Sequence, residues 1–241
     1  MGISRYLAMT AAEMETFSLP QGWLPAYMAC HFSPYTTGLS NIPQELPPGS
    51  MLILNDRTPI SGHDPQRIAQ QLKDAWEQLH FDSMLLDFER QGYEDILSLC
   101  HVLVEQLSCP VGISSPYAQA IDCPVFLPPP PLDQPLAEYI SPWQGREIWL
   151  DIAPEAAQFL ITEDGSQLMH LPLSQPPENA HTDKGLHCRY RSEILEKEVR
   201  FRLWRDLPQI ELLINHAQSL GITKCIGLYQ ELIAQKSTLS L

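Results

Sequence analysis

Two carboxylates close the run Phe81-Asp82-Ser83-Met84-Leu85-Leu86-Asp87-Phe88-Glu89-Arg90, two residues apart at the end of an apolar stretch. Successive side chains of a strand alternate faces, so Leu85, Asp87 and Glu89 share one side and Met84, Leu86 and Phe88 the other. Carboxylates that point the same way are the residue type of general acid–base work. In a parallel α/β protein the C-terminal strand ends and the loops after them form the floor and rim of the ligand site. The purely structural reading of Asp87 and Glu89 is a salt bridge or cap at a strand end, with Arg90 or Arg57 as partner.

Two other stretches end in the same way. Met51-Leu52-Ile53-Leu54-Asn55 is apolar until its last residue, as expected of a strand covered on both faces, and leaves Asn55 and Asp56 at the same rim. Glu147-Ile148-Trp149-Leu150-Asp151-Ile152 alternates, with Trp149 and Asp151 on one face. Tyr27 lies on a further strand, read over Trp23 to Phe32. The aromatic faces of Trp149 and Tyr27 could stack on sugar rings, although such side chains are more often core.

The elements that must position these residues follow a strand-helix rhythm. Asp64-Pro65 supplies an N-cap with proline at the first helical position, and Ile68, Leu72, Ala75, Trp76 and Leu79 recur on one face of the helix that follows. From 51 to 89 the chain is therefore a strand-helix-strand unit, whose natural connection is a right-handed crossover between parallel strands. A second helix is expected over 94–107 and a last one carrying Ile210, Leu213, Ile214 and Ala217, stopped at Gly221. Strands starting at Trp23, Met51, Met84, Val111, Val125, Glu147, Val199 and Lys224 make eight, which predicts a single abbreviated or irregular (β/α)8 TIM-like barrel over 1–241. Glu163-Asp164-Gly165-Ser166 and Glu196-Lys197 mark two turns of an added antiparallel hairpin region at about 157–206, whose last arm doubles as the strand at Val199. Pro128 to Pro131 reads as a stiff loop at a strand end.

The acidic run resembles the signature of the family 18 glycoside hydrolases, the chitinase-like barrels, whose strand reads D-G-x-D-x-D-x-E. Asp82 takes the first acid, Asp87 the last Asp and Glu89 the Glu, while Ser83 stands in place of Gly and Leu85 in place of the inner Asp. Gly221-Ile222-Thr223-Lys224-Cys225-Ile226-Gly227-Leu228-Tyr229 looks like the family's last strand, with Tyr229 where a Trp floors the sugar site; no clear M-x-Y-D motif is present. The resemblance implies a hydrolase of β-linked N-acetylhexosamine glycans working with substrate assistance. Glu89 would be the general acid, Asp87 would orient the acetamide, and Tyr229, Asp151, Trp149, Tyr27 and Asn55 would bind substrate. The family carries its motif on the fourth strand, whereas the count above places it on the third. A non-hydrolytic saccharide-binding or scaffold barrel and a lysozyme-type barrel hydrolase are the alternatives.

Composition bounds the rest. Fifteen basic against 29 acidic residues give a formal charge of -14, which disfavours nucleic acid as a partner. The first 20 residues hold Arg5, Glu13 and Glu15 and no continuous apolar run, unlike a signal peptide or membrane anchor, so a soluble cytoplasmic chain without membrane partners is expected. Six cysteines at irregular spacing, none in C-x-x-C, read as buried thiols, and the eight histidines form no H-E-x-x-H, so neither metal nor cofactor is expected. Arg189, Arg191, Arg200 and Arg202 on the hairpin arms are expected to pair with Glu193, Glu196 and Glu198.

Overall fold

The computed structural model describes residues 2–16, 18–59, 62–89 and 94–234. Eight parallel strands close a barrel: β1 (Ser4–Met9), β2 (Trp23–Phe32), β4 (Met51–Asn55), β5 (Ser83–Asp87), β6 (Val111–Ser114), β7 (Val125–Leu127), β8 (Ile148–Asp151) and β14 (Lys224–Leu228). β14 pairs with β1 and β1 with β2, so the sheet has no open parallel edge; the two-residue β3 (Leu39–Ser40) adds an antiparallel pairing outside β2. The α/β barrel expected from the sequence is therefore present, with one exchange of strands. The strand missing from the sequence count is Ser4–Met9, and the strand counted at Val199 does not belong to the barrel. Arg5, close before the apolar Leu7-Ala8-Met9, disguises β1 in sequence. The acidic strand β5 is consequently the fourth of the barrel.

Helices α1 (Ala11–Thr16), α2 (Pro65–Leu79), α3 (Glu94–Gln106), α4 (Ser115–Ala118), α5 (Leu136–Ile140) and α6 (Leu207–Ser219) complete the βα connections, several of them abbreviated to four to six residues. α2 starts as its sequence directs, the Asp64 carboxylate accepting the Gln66 N–H at 3.0 Å. Its buried face of Ile68, Ala69, Leu72 and Ala75 packs with α3 and the outer side of β4 and β5. Burial of each such side chain contributes about 1.5–3 kcal/mol.

The barrel interior is filled by a separate layer: Tyr6, Ala8, Ala26, Met51, Ile53, Leu85, Phe126, Trp149 and Ile226. Gly112 makes room for the largest of them, since a Cβ there would stand 2.3 Å from Trp149 Cε3. Alternation along each strand then fixes what lies above this layer at the C-terminal mouth: Thr10 after β1, Asn55 above Ile53, Asp87 above Leu85, Ser114 above Gly112, Asp151 above Trp149 and Leu228 above Ile226.

Between β8 and α6 the chain builds a five-stranded antiparallel sheet from β9 (Glu155–Thr162), β10 (Gly165–His170), β11 (His181–Asp183), β12 (Cys188–Ile194) and β13 (Glu198–Arg205), ordered β10-β9-β13-β12-β11. Both expected turns are there, after Thr162 and after Ile194. β13 pairs with β9 and β12 along its whole length, and this is why its last arm cannot also serve the barrel. At the sheet's base the nearly inaccessible Arg205 donates to Glu155 Oε2 and to the Pro130 carbonyl, both at 2.7 Å. His187 and His216 share a hydrogen bond of 3.1 Å between the sheet and α6. The proline run is the loop that Arg205 grips. Of the hairpin arginines, Arg200 pairs with Glu198 and Arg189 with Asp206 at 3.7 Å. All six cysteines are free thiols, five of them buried. No described helix is long and apolar enough to cross a membrane.

Candidate active site

The mouth of the barrel opens into a cavity of about 510 Å³. Its acidic lining comes from three strand ends: Asp56 just after β4, Asp87 and Glu89 at β5, and Asp151 at β8. Asn55, Arg57, His31, Asn41, Met28 and Phe126 form part of the remaining wall. The floor under Asp87 is Leu85, packed in the barrel interior and 1 % exposed.

Two side chains hold the chain as it leaves β5. Ser114 Oγ, on the neighbouring β6, accepts the Phe88 N–H at 2.9 Å and donates to the Leu86 carbonyl at 3.1 Å. Asp56 Oδ1, from the opposite neighbour, accepts the Glu89 N–H at 3.3 Å. Phe88 between them points outward and is fully buried among Phe32 and Tyr117. Glu89 is exposed to the cavity, whereas Asp87 is half-buried.

Burial, then the negative charges of Glu89 and Asp56, push the Asp87 carboxyl up to about 6 against the weaker opposite pull of Ser114. Asp151 is pushed up to about 8, again by burial first and then by Asp87 and Glu231. At neutral pH the cavity thus holds one carboxyl mostly ionised, its midpoint about one unit below, and another kept mostly neutral, an arrangement able to hold and pass protons.

Of the residues singled out in the sequence, Asp87, Glu89, Asn55 and Asp151 come together here. Trp149, Tyr27 and Tyr229 do not line the cavity. Trp149 faces inward as its alternation predicts, but one layer below Asp151: it is fully buried, its Nε1 donates to Glu147 at 2.8 Å, and the Lys224 ammonium lies 4.8 Å from its ring. Tyr27 and Tyr229 have the outward parity of their strands and pack against the outer clusters. Asn55 reaches the cavity but spends its amide on the scaffold, Nδ2 donating to the Met28 and Cys30 carbonyls while Oδ1 accepts the Arg57 N–H. Arg90, a suggested ion-pair partner, lies outside the described residues.

Sequence reasoning missed His31. Strict alternation from Ala26 would send it outward, but β2 carries a bulge: Tyr27 stands opposite Leu52 and Cys30 opposite Leu54, three residues spanning two. The extra residue flips the parity, bringing both Met28 and Ala29 to the cavity wall and His31 after them. Among the described residues no group of three or more His, Cys, Asp or Glu is arranged to hold a metal ion.

The barrel with its inserted sheet is similar to the spore cortex-lytic enzyme SleL of Bacillus cereus, with a TM-score of 0.51 at 10% identity over 94% of this chain and 70% of that one. SleL of Bacillus megaterium QM B1551 gives 0.50 at 9% identity over the same shares. A chitinase from Chromobacterium violaceum ATCC 12472 gives 0.48 at 10% identity over 93% of each chain. At such identities the likeness is one of fold. No protein-family model matches the chain, and no curated protein matches it in sequence.

Proposed function

We propose that this protein is a glycoside hydrolase acting on β-linked N-acetylhexosamine glycans, with Glu89 as general acid and Asp87 as the group that orients the substrate's acetamide. The observation that carries the reading is the placement of Asp87 and Glu89 at the end of the fourth barrel strand, above a closed apolar floor and inside one cavity. The fold shared with the spore cortex-lytic enzymes agrees with it.

In the first step the Glu89 carboxylic acid gives its proton to the glycosidic oxygen as the bond from C1 to that oxygen breaks. The acetamide carbonyl oxygen of the same sugar attacks C1, so the enzyme needs no carboxylate at nucleophile distance. Asp87, half-buried and shifted upward, accepts the acetamide N–H and offsets the positive charge that grows on that ring. In the second step Glu89 carboxylate takes a proton from water, whose oxygen attacks C1 and reopens the ring, returning Glu89 to its acid form. The described wall carries no Tyr or Trp; Phe126 is an aromatic ring on it, while Trp149, Tyr27 and Tyr229 lie outside it.

Asp151 favours a second reading, a two-carboxylate hydrolase of the lysozyme type, because it shares the cavity with Glu89 and Asp87. The anomeric form of the first product, followed by NMR during digestion of N-acetylglucosamine oligomers, separates substrate assistance from the inverting form of that reading. Retention of the β configuration is expected. An α product would assign water attack directed by a second carboxylate, with Asp151 as its base, and would overturn substrate assistance.

A further inference from the structure

Asp87 and Glu89 stand on a short length of chain that has just left its strand and has an apolar residue, Leu85, below it. The described residue beneath the pair is apolar, and the described polar partners of this length of chain lie on the strands on either side. On the β6 side the partner is Ser114, through the Phe88 N–H. On the β4 side it is Asp56, a residue 5 % exposed, whose carboxylate accepts the Glu89 N–H at 3.3 Å and which lines the same cavity as both acids. A buried carboxylate is costly, so its placement against a backbone N–H two residues beyond Asp87 needs a reason.

We infer that Asp56 is a positioning residue of this site, fixing the Glu89 backbone through its peptide N–H while placing its carboxylate beside Asp87. The inference rests on the proposed roles of Glu89 and Asp87. The charged or titratable groups facing Asp87 across the cavity are Glu89 on its own strand end, Asp56 and Arg57 after β4, His31 on β2 and Asp151 on β8. Of these, Glu89 and Asp56 raise the Asp87 carboxyl, after the larger effect of burial. Asp56 therefore acts twice: its oxygen orients the acid, and its charge keeps Asp87 able to carry a proton near neutrality.

The two actions separate by substitution. Asp56→Asn keeps an oxygen able to accept the Glu89 N–H but removes the charge; Asp56→Ala removes both. The direct test is the titration midpoint of the Asp87 carboxyl, followed by carbon-detected NMR in the wild-type protein and in Asp56→Asn, together with kcat and KM on N-acetylglucosamine oligomers. The Asp87 midpoint is expected to fall by about half a pH unit or more in Asp56→Asn, as removal of a nearby like charge requires. In Asp56→Ala, kcat is expected to fall by about tenfold or more with KM nearly unchanged, as for misplacement of an acid that works only in the transition state. An unmoved Asp87 midpoint in Asp56→Asn overturns the inference, as does full kcat in Asp56→Ala. Should the wild-type protein hydrolyse none of the oligomers, the proposed function fails but the titration still decides the coupling; should Asp56→Ala not fold, the midpoint and the pH profile of Asp56→Asn decide it.

Discussion

At Asp87 and Asp151 the burial that builds the cavity also sets the chemistry. Asp151 is the more shifted, and its cost to folding has a definite sign. Its folded value of about 8 lies far above that of an exposed aspartate, so the native state binds the extra proton and stability falls as pH rises from about 4 through about 8. Asp151→Asn removes that penalty. The variant is expected to gain on the order of a few kcal/mol over the wild type at pH 9 and almost nothing at pH 4, read from urea unfolding at the two values. Equal gains at both would mean that Asp151 is ionised throughout. The alternation of residues 84–89 and 148–152 grouped Asp87 with Glu89, and Asp151 with Trp149, on shared faces from sequence alone. It could not place Asp56, which lies beyond the strand end where alternation stops, and so the acid holding Glu89 entered only as a rim residue.

At the scale of elements, periodicity reports which face a side chain takes but not how deep it sits. Trp149 shows the difference: its face was legible, yet it occupies the layer beneath Asp151 because Gly112 on β6 leaves a gap that only that ring fills. Gly112→Ala puts a methyl against a fully buried, hydrogen-bonded indole. It is expected to destabilise the protein by about 1–3 kcal/mol, measured by urea unfolding, as overpacking of a close-fitting core does. A neutral outcome would mean that the interior layer is looser than its contacts imply. The β2 bulge is the opposite case. Three residues spanning two cannot be read from a run of apolar side chains, so His31 escaped. Asn55 at the end of the next strand satisfies the carbonyls around that bulge, which is a tertiary signal with no trace in local spacing.

At the scale of the molecule, the strand-helix-strand rhythm and the two hairpin turns were enough to foresee a barrel with an added antiparallel region. The exchange of one strand, β1 for β13, came from charge on the first and an apolar alternation on the second. Correcting it moves the acidic strand to the fourth position, where the family resemblance of its motif places it, and the inserted sheet rises directly after Asp151, anchored by Arg205 and the His187–His216 pair. The account turns on one residue in that frame. Hydrolysis of fluorogenic N-acetylglucosamine oligomers, compared between the wild-type chain and Glu89→Gln, tests it most directly: turnover by the wild type that is abolished in the variant, with a thermal midpoint within a few degrees, is the expected result. Retained turnover in Glu89→Gln, or a well-folded wild-type protein that cleaves none of the oligomers, would contradict it.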